Sequence, residues 1–456
     1  MNLLKRFAVL FLCLTTFYSC KTEDVDTGVF DSGKQVEFSD YSPKTGAMRT
    51  RLFIYGQNFG TDLSKIHVSI GENPLTVIGS DGKQIYCMLP SQVGSGQVKV
   101  RIDNGAGTDH TFSDPFVYKA TQTVGTLVGG VDEKGNSSIV NGSFDIARFG
   151  NPSYILYEPK ENNLFVVEAA AAVRKVDLNE RMVSTLITNG QAYFSKIQTI
   201  SLSFNNDTLY LVDDNGKSDK SRVAIAYTLR SENYRRVHPY IYDRTSYNCA
   251  QHPVDNVMFF NTYWGGGIQK AYQDPVTKEL TSKELFLVTG SGNNVGPNIF
   301  FHPSGNYCYF MIQRAIWKSR YNWVTKELET PILFAGQYTS TNDDVDAVGT
   351  SARFGYLRQG VFVRNPDYAG QEDEYDFYVC DINNHSIRKV TPRGEVTTFA
   401  GKGSPTPDGS KNGYIDGDLL KEARFNKPNG IAYDEERKIF YITEEDNKRV
   451  RTIKTE

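Results

Sequence analysis

The sequence is short of tryptophan and methionine, with 3 and 6 among 456 residues, and it has only 6 cysteines and 6 histidines. Four of the cysteines, Cys87, Cys249, Cys308 and Cys380, show no CxxC or other paired spacing, which excludes a cysteine-built zinc module. Each lies in an apolar strand-like run and is expected as a buried free thiol. Charge of one sign is also lacking: 50 basic against 53 acidic residues leave a net −3, too balanced for a nucleic-acid binder. Beyond the N-terminal segment, no apolar run approaches the roughly 18 residues of a membrane-spanning helix. Tyrosine and phenylalanine are in excess, 27 of each, beside 39 Gly and 17 Pro. Aromatic residues suit pleated, half-buried surfaces, and Gly and Pro supply turns, so the composition reads as all-β. The length is about three times that of a common domain and excludes a single small module.

The N-terminus reads as an export signal. Lys5 and Arg6 precede an apolar run at 7–14, and Phe17-Tyr18-Ser19-Cys20 follows. A basic end, a core too short to cross a bilayer and a small residue before the cut make residues 1–19 a signal peptide. The segment resembles a bacterial lipoprotein signal, which implies lipidation of Cys20. The acidic run Lys21-Thr22-Glu23-Asp24-Val25-Asp26 resembles the surface-export signal of lipoproteins in glycan-utilising Gram-negative bacteria. The expectation is an outer-membrane lipoprotein exposed at the cell surface, with residues 20–33 as a linker.

Residues 34–119 alternate as short strands, with turn residues every eight to twelve positions. Ser42-Pro43, Gly46, the Gly56-x-Asn58-Phe59-Gly60 turn, Cys87-x-x-Pro90 and Phe116-x-Tyr118 follow in order. This stretch resembles the IPT/TIG family, which implies an immunoglobulin-like sandwich acting as a spacer or interaction module.

Residues 120–456 contain an internal repeat. Ala147-Arg148-Phe149, Ala352-Arg353-Phe354 and Ala423-Arg424-Phe425 recur. Six apolar strands, most of them ending in an acid, are expected at 164–168, 209–213, 257–261, 308–312, 377–381 and 439–444. A further strand follows each, as in Ile387-Arg388-Lys389-Val390, and some third strands end in glycine, as at 396–401. With a preceding strand, each unit has strands A to D, and four-stranded units at this period pack as blades around an axis. The segment from Phe377 to Val390 resembles the NHL repeat, and the whole reads as a six-bladed NHL-type β-propeller. The sixth unit stops after three strands, and 123–129 looks like a fourth strand without a blade, so the two are expected to pair and close the ring.

Equivalent loops of a propeller share a face, so the repeat alignment carries geometric information. The six B–C connections gather at one end of the channel, and the D–A connections open on the same end. Three of these are long: 129–146, 336–351 and 401–422. Polar loops on a rigid scaffold are where binding usually resides. In Thr262-Tyr263-Trp264-Gly265-Gly266-Gly267, a tryptophan at a glycine-rich tip can present a flat apolar face of the kind sugar rings stack upon. Tyr263, Trp264, Arg314, Asn383, Asn384, His385 and Asp213 are the expected ligand-binding set. Two structural alternatives stand beside it: Tyr263 and Trp264 pack over the mouth, and Asp213 and Asp381 cap their own loop's N–H groups.

The remaining motifs point elsewhere. Trp317 aligns with Arg174, Arg388 and Arg451 between blades, and Trp323 falls in a C–D hairpin on the opposite face. His252-Pro253 and His302-Pro303 align with Glu158-Pro159 in A–B turns, also away from the mouth. His385 stands alone among the B–C loops and makes no metal triad. Calcium near Asp408, Ser410 and Asn412 is the one cofactor the sequence raises. There Leu419 replaces the bidentate Glu of a calcium loop, so no cofactor is expected.

The chain resembles the auxiliary glycan-binding lipoproteins encoded with outer-membrane glycan importers. That resemblance implies a non-catalytic protein that binds a polysaccharide or oligosaccharide. It also implies importer components as partners, a lipid anchor in the outer membrane, and no nucleic acid. The alternative class is a lyase or hydrolase working on a glycan at the channel mouth, which needs at least two acid–base groups or three metal ligands to converge there. His385, Glu168, Asp213 and Asp381 are its candidates. A third reading, a protein-interaction scaffold, would show an exposed aromatic patch with no polar cleft beside it.

Overall fold

The computed structural model describes residues 28–90, 93–104, 106–191, 194–288, 296–338, 343–402 and 409–455. The expected signal peptide and Cys20 lie outside them, as does Asp408. The regular structure is β-strand apart from 3₁₀ turns of three residues each. The chain divides into two units between Ala120 and Thr121.

The first unit is a two-sheet sandwich. One sheet joins Glu37–Ser42, Arg51–Gln57, Gln84–Met88 and Thr76–Ser80; the other is built around Thr108–Tyr118, Gly96–Ile102 and Ile66–Ile70. Alternation along these strands sends Leu52, Ile54, Ile85, Cys87, Val98 and Val100 into one core with Tyr41, Phe59 and Phe116. In the Gly56-x-Asn58-Phe59-Gly60 turn the Phe59 ring lies so close to Gly56 that a β-carbon there would stand 2.4 Å from it, so only glycine fits. Asn58 takes the left-handed conformation, its side-chain amide donates to the carbonyls of Asp31 and Lys34, and its Oδ1 accepts from Asp31 N. Residues 28–34 are therefore fastened to the sandwich, a correction to the expected linker over 20–33.

Among the described residues the second unit consists of six antiparallel sheets. Their inner strands are Pro152–Glu158, Ile197–Leu202, Cys249–Gln251, Asn298–Phe301, Leu357–Arg364 and Pro428–Asp434. Each packs beside the next, and the sixth returns to the first, so the sheets form the closed ring of a six-bladed propeller. The second strands, Asn163–Glu168, Thr208–Asp213, Met258–Thr262, Tyr307–Ile312, Tyr375–Asp381 and Ile439–Glu444, fall where the repeats predict them. Closure occurs as expected: Gln122–Gly129 pairs antiparallel with Arg449–Thr455 and supplies the outer strand of the sixth blade.

The apolar cores lie between neighbouring blades. Phe149, Phe354 and Phe425, the last residues of the three Ala-Arg-Phe motifs, are fully buried in these seams. Cys249, Cys308 and Cys380 are buried in the blades as free thiols, and burial of Cys87 in the sandwich pushes its thiol up to about 12.

A repeated polar device holds the long D–A loops. The carboxylates of Glu168, Asp381 and Glu444, at the ends of second strands, each accept from N–H groups of the adjacent D–A loop: Gly150 and Asn151, Gly355 and Tyr356, and Asn426. A buried arginine on the third strand completes each arrangement. Arg388 bonds Asp381 at 3.2 Å, Asp346 at 2.6 Å and the carbonyls of Arg353 and Val345; Arg451 does the same with Glu444 and Asp416 in the sixth blade, and Arg174 with Glu168 and the amide oxygen of Asn141 in the first. The backbone N–H groups that the strand-end acids cap thus belong to the entering loop rather than to their own, which corrects the capping alternative drawn from the sequence; from their own loops Asp381 and Glu444 accept only the side-chain amides of Asn384 and Asn447.

The Arg388→Ala protein should lose about 3–5 kcal/mol, because it leaves the buried Asp381 carboxylate without its cationic partner. In urea denaturation this is a lowered propeller midpoint, and an unchanged midpoint would refute the role assigned to the clamp.

Candidate functional site

The channel at the ring's centre is divided in two. Tyr154 and Gln359, both buried, line the compartments on either side. Gln359 mimics a strand partner: its Nε2 donates to Ile155 O at 2.6 Å and its Oε1 accepts from Ile155 N at 2.9 Å and Ile431 N at 3.3 Å. It ties the fifth blade to the sixth and the first. On the A–B side lies an apolar compartment of about 410 Å³ whose walls include Leu156, Leu202, Phe204, Phe300, Phe362 and Tyr433. On the side where the B–C and D–A loops converge lies a polar cup of about 230 Å³.

The cup is built by β-bulges. In blades one, two, five and six the inner strand slips register just inside the channel, between Pro152 and Ile155, Ile197 and Thr199, Leu357 and Gly360, and Pro428 and Gly430. A bulge re-aims side chains, and the residues inside these four, Ser153, Tyr154, Gln198, Arg358, Gln359 and Asn429, all line the cup. Asn151, Tyr247, Asn298 and Glu445 add further walls. Neighbours orient the polar groups: Gln198 Nε2 donates to Asp214 at 3.3 Å, Asn429 Nδ2 to Glu445 at 3.0 Å and Asn298 Nδ2 to Arg358 O at 3.5 Å. The Arg358 guanidinium lies over the Tyr356 ring, 4.9 Å from its centre. Among the described residues, the side-chain oxygens of Gln198, Asn298 and Asn429 and the Arg358 guanidinium are offered to a ligand.

An aromatic ramp leads from this cup to solvent. The Tyr247 ring stands against Gly296, where a β-carbon would come within 3.0 Å of it. Tyr263 tilts on Tyr247 at 4.9 Å, and Trp264 meets Tyr263 edge-to-face at 5.6 Å. Trp264 is 39% exposed. Burial, with the Asp214 carboxylate beside the hydroxyl, pushes Tyr247 up to about 12, so it stays a neutral hydrogen-bond donor, here to Asp214 at 3.4 Å.

The other expected site residues divide by burial. Asn383 is exposed and Arg314 half-buried, each at the tip of a B–C connection. Asp213 is 1% exposed, its carboxylate accepts from Ser195 N and Lys196 N, and burial raises its pKa. Asn384, 9% exposed, donates to Asp343 O and Asp381. These two shape the loops from beneath and do not face the mouth, a correction to their expected place in the ligand set. His385 is half-buried in the left-handed conformation, and its Nδ1 accepts Lys427 N–H at 3.1 Å across the seam to the sixth blade.

Glu445 is the one carboxylate among the described residues lining the cup, while Glu168, Asp213 and Asp381 are engaged in the loop caps. His252 accepts the N–H groups of Val254 and Asp255 in its turn, and His302 that of Ser304. Among the described residues no three His, Cys, Asp or Glu side chains come together as a metal site. Ser410 Oγ bonds Asn412 Oδ1, and the Ser410 carbonyl accepts from Arg424.

Residues 37–120 match the IPT/TIG domain. No match to the curated proteins is significant. Among solved structures, an auxiliary nutrient binding protein from Bacteroides thetaiotaomicron is 38% identical over 94% of this chain and 100% of its own, with a TM-score of 0.76. An auxiliary nutrient binding protein from Bacteroides ovatus is 32% identical over 94% and 100%, with a TM-score of 0.75. A third structure from Bacteroides thetaiotaomicron, named as a candidate phosphatase, is 31% identical over 95% and 99%, with a TM-score of 0.72.

The His385 contact predicts a pH response. Burial holds this imidazole below its ordinary 6.5, as it does His252 and His110. The unfolded chain takes up these protons first as pH falls, so stability is full above pH 6.5 and declines below it. The melting temperature should fall between about pH 7 and about pH 5.5, and less so in His385→Asn. An equal fall in both proteins would contradict the assignment to His385.

Proposed function

The chain belongs to the family of the Bacteroides auxiliary nutrient binding proteins, and from that membership we propose that it binds a polysaccharide at the polar end of its propeller channel. In this reading it is a non-catalytic lipoprotein of the cell surface, anchored in the outer membrane through Cys20 and auxiliary to a glycan import system. An auxiliary nutrient-binding role places it at the cell envelope. The IPT/TIG unit serves as a spacer.

One observation carries the proposal: an exposed aromatic ramp, Trp264 to Tyr263 to Tyr247, descends into a cup lined by amides and one arginine. Sugars have apolar ring faces and hydroxyl edges that both donate and accept. The ramp offers stacking to the first and the cup offers paired donors and acceptors to the second. Arg314 and Asn383 extend the polar surface along neighbouring loops. A scaffold that recognises proteins through an aromatic patch has no need of the adjoining polar cup. A lyase or hydrolase needs a second acid–base group to meet Glu445, and the candidates lining the cup are two phenols already engaged: Tyr154, which accepts from Asn248, and Tyr247, which donates to Asp214. Affinity per site is modest, and many copies on one surface strengthen it.

Affinity gels cast with amylose, xylan, mannan, pectic galactan and hyaluronan should retard the protein in at least one case. Trp264→Ala should weaken that binding about tenfold, or about 1.4 kcal/mol. Unchanged mobility of the wild type in every gel would refute the function, and unchanged affinity of Trp264→Ala would refute the site.

A further inference from the structure

We infer that the cup receives a terminus of the glycan rather than an internal stretch of it. The inference rests on the glycan-binding reading above and adds which part of the polymer is recognised. Three features of the site lead to it.

The first is enclosure. The wall is contributed by every blade: Asn151 and Ser153, Gln198, Tyr247, Asn298, Arg358, and Asn429 with Glu445. An internal unit of a polymer has two neighbours and needs two exits, and a cup walled around its full circumference gives it one. Chains that bind mid-strand lie along open grooves, whereas here, among the described residues, the aromatic ramp leaves the cup over the loops at 243–248 and 262–266.

The second is the floor. Passage through the channel would be the other way to accommodate an internal unit, and Gln359 and Tyr154 stand across it. Gln359 cannot swing aside without breaking three hydrogen bonds to the inner strands of two other blades. The compartment beneath is more apolar than the cup, with Ser201, Ser203, Asn206 and Gln251 among its lining.

The third is size. The cup's 230 Å³ is below the roughly 300–1,000 Å³ of pockets that hold drug-sized ligands, so it suits a single sugar ring. The terminal ring lies in the cup with its hydroxyls against Gln198, Asn298, Asn429 and Arg358. The next rings climb Tyr247, Tyr263 and Trp264.

The test uses whichever linear polysaccharide of the affinity panel binds, divided into pools differing about tenfold in chain length. Titration calorimetry then gives the number of protein molecules per polysaccharide chain. Terminus recognition predicts a constant number close to one across the pools. A number that rises in proportion to length overturns the inference while leaving glycan binding intact; a panel with no binder overturns the glycan reading itself. As an independent arm, Gln198→Trp fills the cup and leaves the ramp in place. It should weaken binding of the shortest pool at least tenfold with an unchanged melting temperature, and Asn298→Trp serves in the same way should the first variant not fold. Retained affinity in a folded, cup-filled variant also overturns the inference. Borohydride reduction of the pool identifies the terminus: loss of binding marks the reducing end, and retention with constant stoichiometry marks the non-reducing end.

Discussion

The mouth of this propeller depends on one constraint: a polar group is buried at the end of the second strand in five of the six blades and must find partners. Glu168, Asp213, Asn261, Asp381 and Glu444 all meet it in the same way, by accepting N–H groups from the loop that enters the blade. A buried carboxylate without such partners would be costly, so the loop is held wherever the acid is. The same junction is tied a second time through the backbone, by Ala169 N to Asn151 O, Asp214 N to Lys196 O, Ile382 N to Tyr356 O and Glu445 N to Lys427 O. The loops around the cup are therefore fixed relative to the strands beneath them, and a binding surface on such a base is preorganised.

The arginine clamp is added only where the constraint is hardest to satisfy. Blades one, five and six are entered by the long connections, and these carry Arg174, Arg388 and Arg451. By strand register and seam the same position holds Ala226, Gln269 and Trp317 in blades two, three and four. The entering loops of blades two and three are held by the cap alone, and Tyr247 on the second of these loops begins the ramp. The ring is thus divided into a clamped half that carries length and a shorter-looped half that carries Tyr247, Tyr263 and Trp264. Function and fold share the same residues at Gln359, which both seals the channel floor and laces three inner strands together.

Much of this is legible in the sequence because it repeats. The Ala-Arg-Phe motif reports a seam: its phenylalanine is buried between blades and its arginine's carbonyl receives the clamp. The acid at the strand end is equally visible, although sequence alone assigns it to the wrong loop, because the B–C and D–A loops are neighbours in space and not along the chain. Asp213 and Asn384 enter the expected ligand set for the same reason: a loop position marks the correct end of the molecule without marking depth. The cup was less accessible. Its residues sit in bulges that break the period of two, and a pattern read on strict alternation has no place for Gln198, Arg358 or Asn429. The available signal was the polar residue that follows the entry residue of the inner strand, as Asn298 follows Pro297, Arg358 follows Leu357 and Asn429 follows Pro428. Tyr247, which joins ramp to cup, has no counterpart in the other repeats.

The central claim is that ligand is held at the polar end of the channel by the loops the buried acids anchor. Hydrogen-exchange measurements on the protein with and without a bound polysaccharide address it directly. The account predicts added protection confined to segments around 195–199, 244–248, 262–266, 296–299, 355–359 and 426–430. Protection falling on the A–B hairpins at the apolar end of the channel, or on the IPT/TIG unit, with these segments unchanged, would contradict it.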